Sequence, residues 1–279
     1  MSGKAQKSEQ KLAWVTGASS GIGRALVHRL LRDGYSVVVT SRNHDKLVDL
    51  QHEAAGEGRV IVLDGDVADA EDMERVMAAI EYDHGRLSLV VLNAGIAIPI
   101  RGDDLQREAF ERTFAVNLGG VVNCLLPAVT HMKAQGHGHI AIVSSPAGYC
   151  GLPSSAAFGA SKAALINMAE SLKFDLDRIG IRLQIICPGG VDTTGAAKLR
   201  FPKSSVLSAE DAADRIASGL KSRRFEIAFP RSFAFRAKLM RLLPYGLYFR
   251  LLKWLTADKP DVGARAKHAG PDGGSRQAV

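Results

Sequence analysis

Short apolar runs alternate with longer amphipathic stretches along most of this chain. The first apolar run, Leu12 to Val15, has the length of a buried strand, and a helical pattern from Ile22 to Leu31 follows it. Six more apolar runs are separated by helical patterns: Ser36 to Thr40, Arg59 to Leu63, Leu87 to Leu92, Ile140 to Val143, Arg182 to Cys187 and Phe225 to Phe229. This alternation predicts an α/β fold in which a parallel sheet carries helices on both faces and binds its ligand at the carboxyl ends of the strands.

The length and composition of the chain agree with one large domain. Of its 279 residues, 46% are hydrophobic, which is enough to bury a substantial core. The alternating pattern covers residues 11–230, which we assign to this domain. Residues 1–10 are polar, residues 257–279 are rich in glycine, alanine and charge, and both are predicted to be disordered tails.

The segment between the domain and the last tail, residues 231–256, is both basic and apolar and contains no acidic residue. Two short helical patterns, broken at Pro244 and Gly246, predict a basic amphipathic extension. Its apolar residues include Phe233, Leu239, Leu242, Leu243, Tyr248, Leu251, Leu252 and Trp254. Such a segment suits three roles: contact with an anionic membrane surface, a lid over a substrate pocket, or a cover for a neighbouring subunit.

The net charge of +7 raises the question of nucleic-acid binding. Much of that surplus lies in residues 231–256, and the sequence carries no nucleic-acid-binding motif, so nucleic acid is not a predicted partner. The first ten residues lack the apolar centre of a signal peptide, and we see no apolar run of about twenty residues. We therefore expect a cytoplasmic protein, which is compatible with association with the inner face of a membrane.

The histidines and cysteines do not form a metal-ligand pattern. His137 and His139 flank a glycine before a strand, and no carboxylate or thiol stands at ligand spacing beside them, which favours a solvated loop. Cys124, Cys150 and Cys187 are odd in number and have no metal-ligand spacing, so we expect reduced, packed thiols. No metal site is predicted.

The loop after the first strand, TGASSGIG from Thr16 to Gly23, is rich in glycine. Glycines at 17, 21 and 23 allow a tight turn and a close approach to a pyrophosphate, whose charge the amino-terminal end of the next helix receives. Taken alone, this loop also fits a purely structural turn between a strand and a helix. Motifs elsewhere in the chain are needed to distinguish a pyrophosphate-binding loop from a structural turn.

Further motifs follow in order along the chain. They are Asp66 and Val67 after the third strand, Asn93, Ala94 and Gly95 after the fourth, Asn117 within FAVNLGG, Ser145 after the fifth, Lys162, and Pro188, Gly189 and Thr193. Together with the TGxxxGxG loop, these motifs resemble those of the short-chain dehydrogenase/reductase family over roughly residues 11–230. The resemblance implies a single-domain, doubly wound Rossmann-type fold, and a homodimer or homotetramer formed through the helices that bear Asn117 and Lys162.

The resemblance also implies roles for individual residues. The expected cofactor-binding residues are Thr16, Gly17, Ser19, Ser20, Gly21, Ile22, Gly23, Ser41, Arg42, Asp66, Val67, Asn93, Ala94, Gly95, Lys162, Pro188, Gly189, Val191 and Thr193. Lys162 would hydrogen-bond the nicotinamide ribose and lower the pKa of a catalytic phenol. Ser145 would orient the substrate oxygen, and Asn117 would hold a water that links the lysine to solvent.

One position departs from the family pattern. The YxxxK spacing places the catalytic tyrosine of the family at Phe158, four residues before Lys162, so a naturally altered member and a deliberate substitution both fit. A phenyl ring has no proton to donate, and loss of a general acid costs on the order of 10² to 10⁴ in rate. Tyr149 is the nearest candidate for a substitute acid, or it simply lines a pocket.

The end of the second strand bears on the choice of cofactor. Ser41 stands where an acidic residue would bind a ribose hydroxyl, and Arg42 follows it. The missing carboxylate removes repulsion of a 2′-phosphate, which a guanidinium binds well, so NADP(H) is favoured and NAD(H) remains open. The alternative is that Arg42 is a solvated cation at the end of a strand.

Two functions follow from these residues. The first is an NADP(H)-dependent carbonyl reductase or alcohol dehydrogenase that acts on an apolar, lipid-like substrate and is impaired by Phe158. The second is a catalytically inactive dinucleotide-binding protein with a binding or scaffolding role. The loop from Thr194 to Leu207, where the family varies its substrate contacts, carries no signature that identifies the substrate.

Overall fold

The computed structural model describes residues 11–192 and 206–256 of the chain. The two predicted tails, Thr193 and most of the loop from Thr194 to Leu207 lie outside these described residues. Contacts divide the chain into two compact units, Met1–Lys238 and Leu239–Val279.

The first unit contains a seven-stranded sheet and most of the helices. The strands are β1 Lys11–Thr16, β2 Tyr35–Thr40, β3 Val60–Val62, β4 Leu87–Leu92, β5 Gly138–Val143, β6 Ile181–Pro188 and β7 Glu226–Phe229. The helices are α1 Gly21–Arg32, α2 His44–Glu53, α3 Ala70–Ala79, α4 Arg107–Phe114, α5 Gly120–Gln135, α6 Ala156–Arg178 and α7 Ala209–Leu220, followed by α8 Arg231–Arg241, which extends into the second unit. Short turns lie at Ile80–His84, Ala115–Gly119 and Pro146–Gly148.

All neighbouring strands are parallel, in the order β3-β2-β1-β4-β5-β6-β7. This confirms the predicted doubly wound parallel sheet, with each strand within about two residues of its expected position. Successive strands are added on one side of β1 up to β3 and on its other side from β4 onward, and this change of side opens a crevice at the carboxyl ends of β1 and β4. The loops that carry the predicted motifs follow those ends.

Two apolar cores cover the two faces of the sheet. Alternate residues of β1 point to opposite faces, so that Trp14 packs in one core and Val15 in the other. The first core includes Met132 of α5 and Leu165 of α6, and the second includes Leu26 of α1. Helices on both faces therefore bury strands that are apolar on both sides, as expected for a parallel sheet.

A continuous helix runs from Arg107 to Gln135 through α4, a π turn and α5. Among the described residues it is the one helix whose length and composition would allow it to cross a membrane, contrary to our expectation that no such apolar stretch exists. The sequence does not show this stretch as one apolar run, because Asn117 and Asn123 interrupt it. In the structure the helix belongs to the folded domain, where Cys124 and Met132 are buried in the first core.

The expectation that His137 and His139 lie in a solvated loop is wrong for His139. Strand β5 begins at Gly138, so His139 lies within the sheet, with Nε2 2.8 Å from Oε1 of Gln184. Burial of the imidazole lowers the pKa of His139 to about 4. The described residues contain no cluster of His, Cys, Asp or Glu that would hold a metal ion.

Helix α9, Tyr245–Thr256, lies in the second unit. The break between α8 and α9 falls at residues 242–244, and the backbone carbonyl of Pro244 accepts hydrogen bonds from Leu247 and Tyr248. The predicted break at Pro244 and Gly246 is wrong in its extent, because Gly246 lies in the first turn of α9. Proline is favoured at a helix start, and a glycine beside it does not end the helix.

Candidate functional site

The glycine-rich loop joins β1 to α1 at the centre of the sheet. Gly17 and Gly21 have φ of +67° and +54°, in the left-handed region that glycine adopts without strain. A Cβ atom on Gly23 would lie 2.3 Å from the carbonyl oxygen of Gly17, so only glycine fits there. These three glycines bring the backbone of the loop against the start of α1, as the sequence predicts.

The side chains of Thr16 and Asn93 hold this loop in place. Thr16 Oγ1 accepts hydrogen bonds from the backbone N–H groups of Asn93 and Ala94, at 3.0 and 3.1 Å. Asn93 Nδ2 donates to the carbonyl oxygens of Thr16 and Gly17, at 3.0 and 3.3 Å. Two motifs that are 77 residues apart in sequence thus lock β1 to β4.

A cleft of about 760 Å³ runs along the carboxyl ends of the strands. The predicted residues that line it are Gly17, Ser19, Ser20, Gly21, Ile22, Ser41, Arg42, Asp66, Val67, Asn93, Ala94, Gly95, Ser145, Phe158, Lys162, Pro188, Gly189 and Val191. Thr16, Gly23 and Asn117 are not among the lining residues, and they support the cleft from behind. Thr193 lies outside the described residues.

The amino-terminal end of α1 suits an anion. Within the described part of the chain, the side chain of the N-cap residue Ser20 makes no capping hydrogen bond, and the first turn of α1 contains no acidic residue. The first amide groups of a helix lack partners within the helix and carry the positive end of its dipole. Ser19, Gly21 and Ile22 surround this end and line the cleft.

At one end of the cleft, Ser41 and Arg42 follow β2. The Arg42 guanidinium is more than half exposed and lies 3.8 Å from the carboxylate of Asp66, a distance that leaves its donors open to a ligand. Asp66 Oδ1 accepts a hydrogen bond from the backbone N–H of Ala68, at 3.0 Å, which fixes the turn after β3. Asn43 also lines the cleft, and its side chain caps α2 by accepting from the N–H of Lys46.

At the other end, α6 places Phe158 and Lys162 one turn apart on the face that lines the cleft. Lys162 is buried, its Nζ donates to the carbonyl oxygen of Val143 at 2.8 Å, and it lies 5.7 Å from the centre of the Phe158 ring. Desolvation lowers the pKa of Lys162 to about 8. The ammonium therefore stays protonated near neutral pH but gives up its proton more readily than an exposed lysine.

Ser145 begins the short turn Pro146–Gly148 and lines the cleft beside Phe158. Its Oγ accepts a hydrogen bond from the N–H of Ala147 at 3.2 Å, which leaves the hydroxyl proton to donate to a ligand. Its neighbour Ser144, which we did not predict as a site residue, also lines the cleft and donates from Oγ to the carbonyl oxygen of Lys162 at 2.8 Å. This bond ties the end of β5 to α6.

Asn117 is fully buried in the π turn between α4 and α5. Its Oδ1 accepts from the N–H of Ile96 at 2.8 Å, and its Nδ2 donates to the carbonyl oxygen of Ile96 at 2.9 Å and to Ser161 Oγ at 3.1 Å. A Cβ atom on Gly95 would lie 3.3 Å from Asn117 Oδ1 and 3.5 Å from Lys162 Nζ. The amide thus clamps the loop after β4 next to the lysine, a role that its sequence position does not reveal.

Tyr149 points away from the cleft. Its hydroxyl donates to Glu226 Oε1 at 2.6 Å, and Lys238 of α8 binds Glu226 Oε2 at 2.6 Å while lying 4.9 Å from the centre of the Tyr149 ring. Burial raises the pKa of Tyr149 well above its ordinary value, with a further contribution from Cys187. The phenol is therefore a poor proton donor that is already engaged. The sequence did not signal this cluster, because its members come from three separate segments.

Comparison with known proteins gives a consistent result. A family model described as short chain dehydrogenase matches residues 11–203. An uncharacterized oxidoreductase of Myxococcus xanthus is 34% identical over 241 residues, which are 85% of this chain and 94% of that protein. The probable oxidoreductase EphD of Mycobacterium tuberculosis is 39% identical over 194 residues, which are 68% of this chain and 32% of that protein. The chain thus spans about a third of the length of EphD.

Solved structures resemble the fold closely. An alcohol dehydrogenase from the archaeon Thermococcus sibiricus, complexed with 5-hydroxy-NADP, has 28% sequence identity and a TM-score of 0.72, covering 78% of this chain and 95% of that one. A short chain dehydrogenase/reductase from Burkholderia phymatum, in complex with NAD, has 25% identity and a TM-score of 0.75, covering 82% of this chain and 92% of that one. Similar proteins therefore hold either dinucleotide.

Proposed function

The chain belongs to the short-chain dehydrogenase family of oxidoreductases, and on that premise we propose that it is an NADP(H)-dependent carbonyl reductase or alcohol dehydrogenase acting on an apolar, lipid-like substrate, with turnover limited by Phe158. The observation that carries this proposal is the single cleft that joins the uncapped end of α1 to Lys162 and Ser145. A nicotinamide dinucleotide, when bound, supplies or accepts the hydride. The residues of the chain bind, orient and desolvate the reacting groups.

The cleft fits such a cofactor along its length. A Cβ on Gly17 would lie 2.8 Å from Ala94 Cα, so glycine is needed for the loop to pack against the end of β4. The backbone of this loop lines the cleft at the start of α1, where a pyrophosphate would bind. Val67 and Asp66 flank the end that would take the adenine, and Pro188 and Gly189 line the end that would take the nicotinamide. Buried Lys162 lies at this second end, where its ammonium would donate to ribose hydroxyls.

The preference for NADP(H) rests on Ser41 and Arg42. No carboxylate stands at residue 41 to repel a 2′-phosphate, and the exposed Arg42 side chain lines the cleft with its nearest acidic group, Asp66, 3.8 Å away. A guanidinium binds a phosphate by paired hydrogen bonds. If Arg42 were only a solvated cation at the end of β2, it would make no such bonds to the cofactor. Asn43 lines the same end of the cleft.

Titration of nicotinamide fluorescence with NADPH and NADH tests this preference. We expect tighter binding of NADPH, and loss of the difference in Arg42→Ala. Arg107→Ala is the matched control, because Arg107 is exposed on α4 and pairs only loosely with Glu111 at 3.5 Å. Equal affinities for the two dinucleotides, or an Arg42→Ala variant that keeps its preference for NADPH, would refute the assignment.

The substrate end of the cleft combines one hydroxyl with apolar walls. Ser145 would donate to the oxygen of a carbonyl or alcohol, while Ile96, Val116 and Val191 line the cleft around it and suit an apolar substrate. Phe158 stands where the family places its proton donor, and its ring has no group to protonate that oxygen. The bound oxygen would thus be oriented without a dedicated acid.

Phe158 also supports a second candidate function, a dinucleotide-binding protein with a binding or scaffolding role and no turnover. In this alternative the cofactor site is retained, and no other group supplies the proton that a phenol at residue 158 would donate. The two functions differ in what a phenol at residue 158 does, because it raises the turnover of an impaired enzyme and leaves a binding protein without turnover.

We also propose that the protein is a homodimer or homotetramer formed through α5 and α6. Leu126 on α5 is 63% exposed and Phe174 on α6 is 73% exposed, and large apolar side chains at this exposure favour contact with another chain. Light scattering after size exclusion should show an oligomer that Leu126→Asp with Phe174→Asp dissociates. Tyr82→Asp, a change at a residue that is 91% exposed after α3, is the control. A monomeric unaltered protein would contradict the proposal.

A further inference from the structure

Helix α9 exposes large apolar side chains on two opposite sides, with Tyr245 and Phe249 on one side and Leu247 and Trp254 on the other. Tyr245 is 71% exposed, Phe249 60% and Trp254 74%, and Leu247 is 52% exposed. The rings of Tyr245 and Phe249 stack, with centroids 5.9 Å apart and planes 19° apart. Patches of this kind are uncommon on a surface that faces only water, and they mark contact with a partner or a membrane.

Cations lie between these two sides of α9. Successive residues of a helix are rotated by about 100°, which places Arg250 and Lys253 between Phe249 on one side and Trp254 on the other. Residues 231–256 contain no acidic residue, and their cations are Arg231, Arg236, Lys238, Arg241, Arg250 and Lys253. A surface of this sign is complementary to a partner that is anionic, and its rings suit a partner that is also apolar.

We propose that α9 docks on an anionic phospholipid bilayer and lies in the plane of the interface. Leu247, Trp254 and Leu255, which are exposed and fall within about 100° of one another around the helix, enter the boundary between headgroups and acyl chains, where aromatic rings are favoured. Arg250 and Lys253 extend their long aliphatic stems along this boundary and place their charges against lipid phosphates. This docking rests on the residues of α9 alone and does not depend on the proposed oxidoreductase activity.

Tryptophan fluorescence can report the docking of α9. It has two tryptophans, of which Trp14 is fully buried in the sheet and Trp254 is exposed on α9. Transfer of Trp254 from water into the interface should shift its emission to the blue, while Trp14 contributes a constant background. Trp254→Phe should abolish the shift and leave most of the binding, since phenylalanine is still apolar.

Sedimentation of the full-length protein with vesicles gives the affinity. We expect binding to vesicles of phosphatidylglycerol and phosphatidylcholine, little binding to phosphatidylcholine alone, and release in about 1 M salt, where the screening length falls to about 3 Å. Each cation near an anionic surface contributes roughly a factor of five, so Arg250→Gln with Lys253→Gln should weaken binding about 30-fold. Leu247→Ser with Leu255→Ser should weaken it by a similar amount.

Arg107→Gln with Tyr82→Ser is the matched control, since it removes an exposed cation and an exposed ring from the first unit. Full-length protein that stays in the supernatant with anionic vesicles at low salt overturns the proposal. Equal loss of binding in the control overturns the assignment to α9. If the α9 variants change the oligomeric state in solution and leave vesicle binding intact, the face contacts a second copy and the membrane proposal is wrong.

Discussion

Phe158→Tyr adds a single hydroxyl to a ring that already lines the cleft beside Ser145 and Lys162. The substitution keeps the shape of the ring, so the packing of α6 and the cofactor end of the cleft should be unchanged. If the protein is an impaired oxidoreductase, the new phenol supplies the missing proton and turnover rises. If it is a binding protein, the phenol changes nothing but the local polarity.

The size of the gain follows from the position of the lysine. Lys162 Nζ lies 5.7 Å from the centre of the Phe158 ring. At an effective dielectric constant of about 20, two unit charges at that separation interact by about 3 kcal/mol, which lowers the pKa of the new phenol from its ordinary value toward neutral pH. A positioned general acid contributes about 10²- to 10⁴-fold, so we expect kcat to rise by about that factor.

The assay compares NADPH oxidation by the two proteins near neutral pH, where Lys162, with its pKa of about 8, is still charged. Apolar ketones and long-chain ketoacyl compounds form the substrate panel, and fluorescence titration measures cofactor affinity in parallel. The gain should appear in kcat, with cofactor affinity nearly unchanged. Phe235→Tyr is the control, because it adds the same hydroxyl to an exposed ring that does not line the cleft.

Two results would refute this reasoning. Turnover by the unaltered chain as fast as that of Phe158→Tyr would show that another group delivers the proton. A variant that binds NADPH with unchanged affinity but reduces no member of the panel would favour the binding-protein alternative.

Three further measurements test other parts of the structure. Gly23→Ala forces a methyl group against the glycine-rich loop, because a Cβ at residue 23 would lie 2.3 Å from the carbonyl oxygen of Gly17. The variant should show no dinucleotide binding in fluorescence titrations, and unchanged affinity would contradict the loop geometry. Because the pKa of His139 is lowered to about 4 in the folded protein and is near 6.5 in the unfolded chain, the unfolded state binds more protons between these values, so stability should fall by about 3 kcal/mol as pH drops through that window. Urea unfolding should show a flatter pH profile for His139→Gln, and equal profiles would disprove the burial argument. Tyr149→Phe removes the hydrogen bond to Glu226 and should cost about 1–3 kcal/mol in urea unfolding, whereas Tyr82→Phe, at an exposed ring, should cost almost nothing.

The order of elements and the glycine-rich loop could be predicted from the sequence because they depend on local constraints. Buried strands need apolar runs, helices need an apolar stripe, and the turn from β1 to α1 needs glycines at fixed spacing. The pairing of Phe158 with Lys162 on one face follows equally from helical geometry. Small errors, such as the break expected at Gly246, arose where a residue tolerates more than one local conformation.

What the side chains do was decided by the tertiary structure. Asn117 and Thr16 stand in motifs that the sequence shows, but the motifs do not reveal that Asn117 clamps the loop after β4 or that Thr16 ties that loop to β1. These contacts form because parallel strands bring distant segments together. Tyr149 lies close to Ser145 in sequence, but Glu226 and Lys238 draw its hydroxyl away from the cleft. Hydrogen bonds and desolvation depend on neighbours across the fold, so sequence determines which residues are present near a site and the packed structure determines which of them reach it.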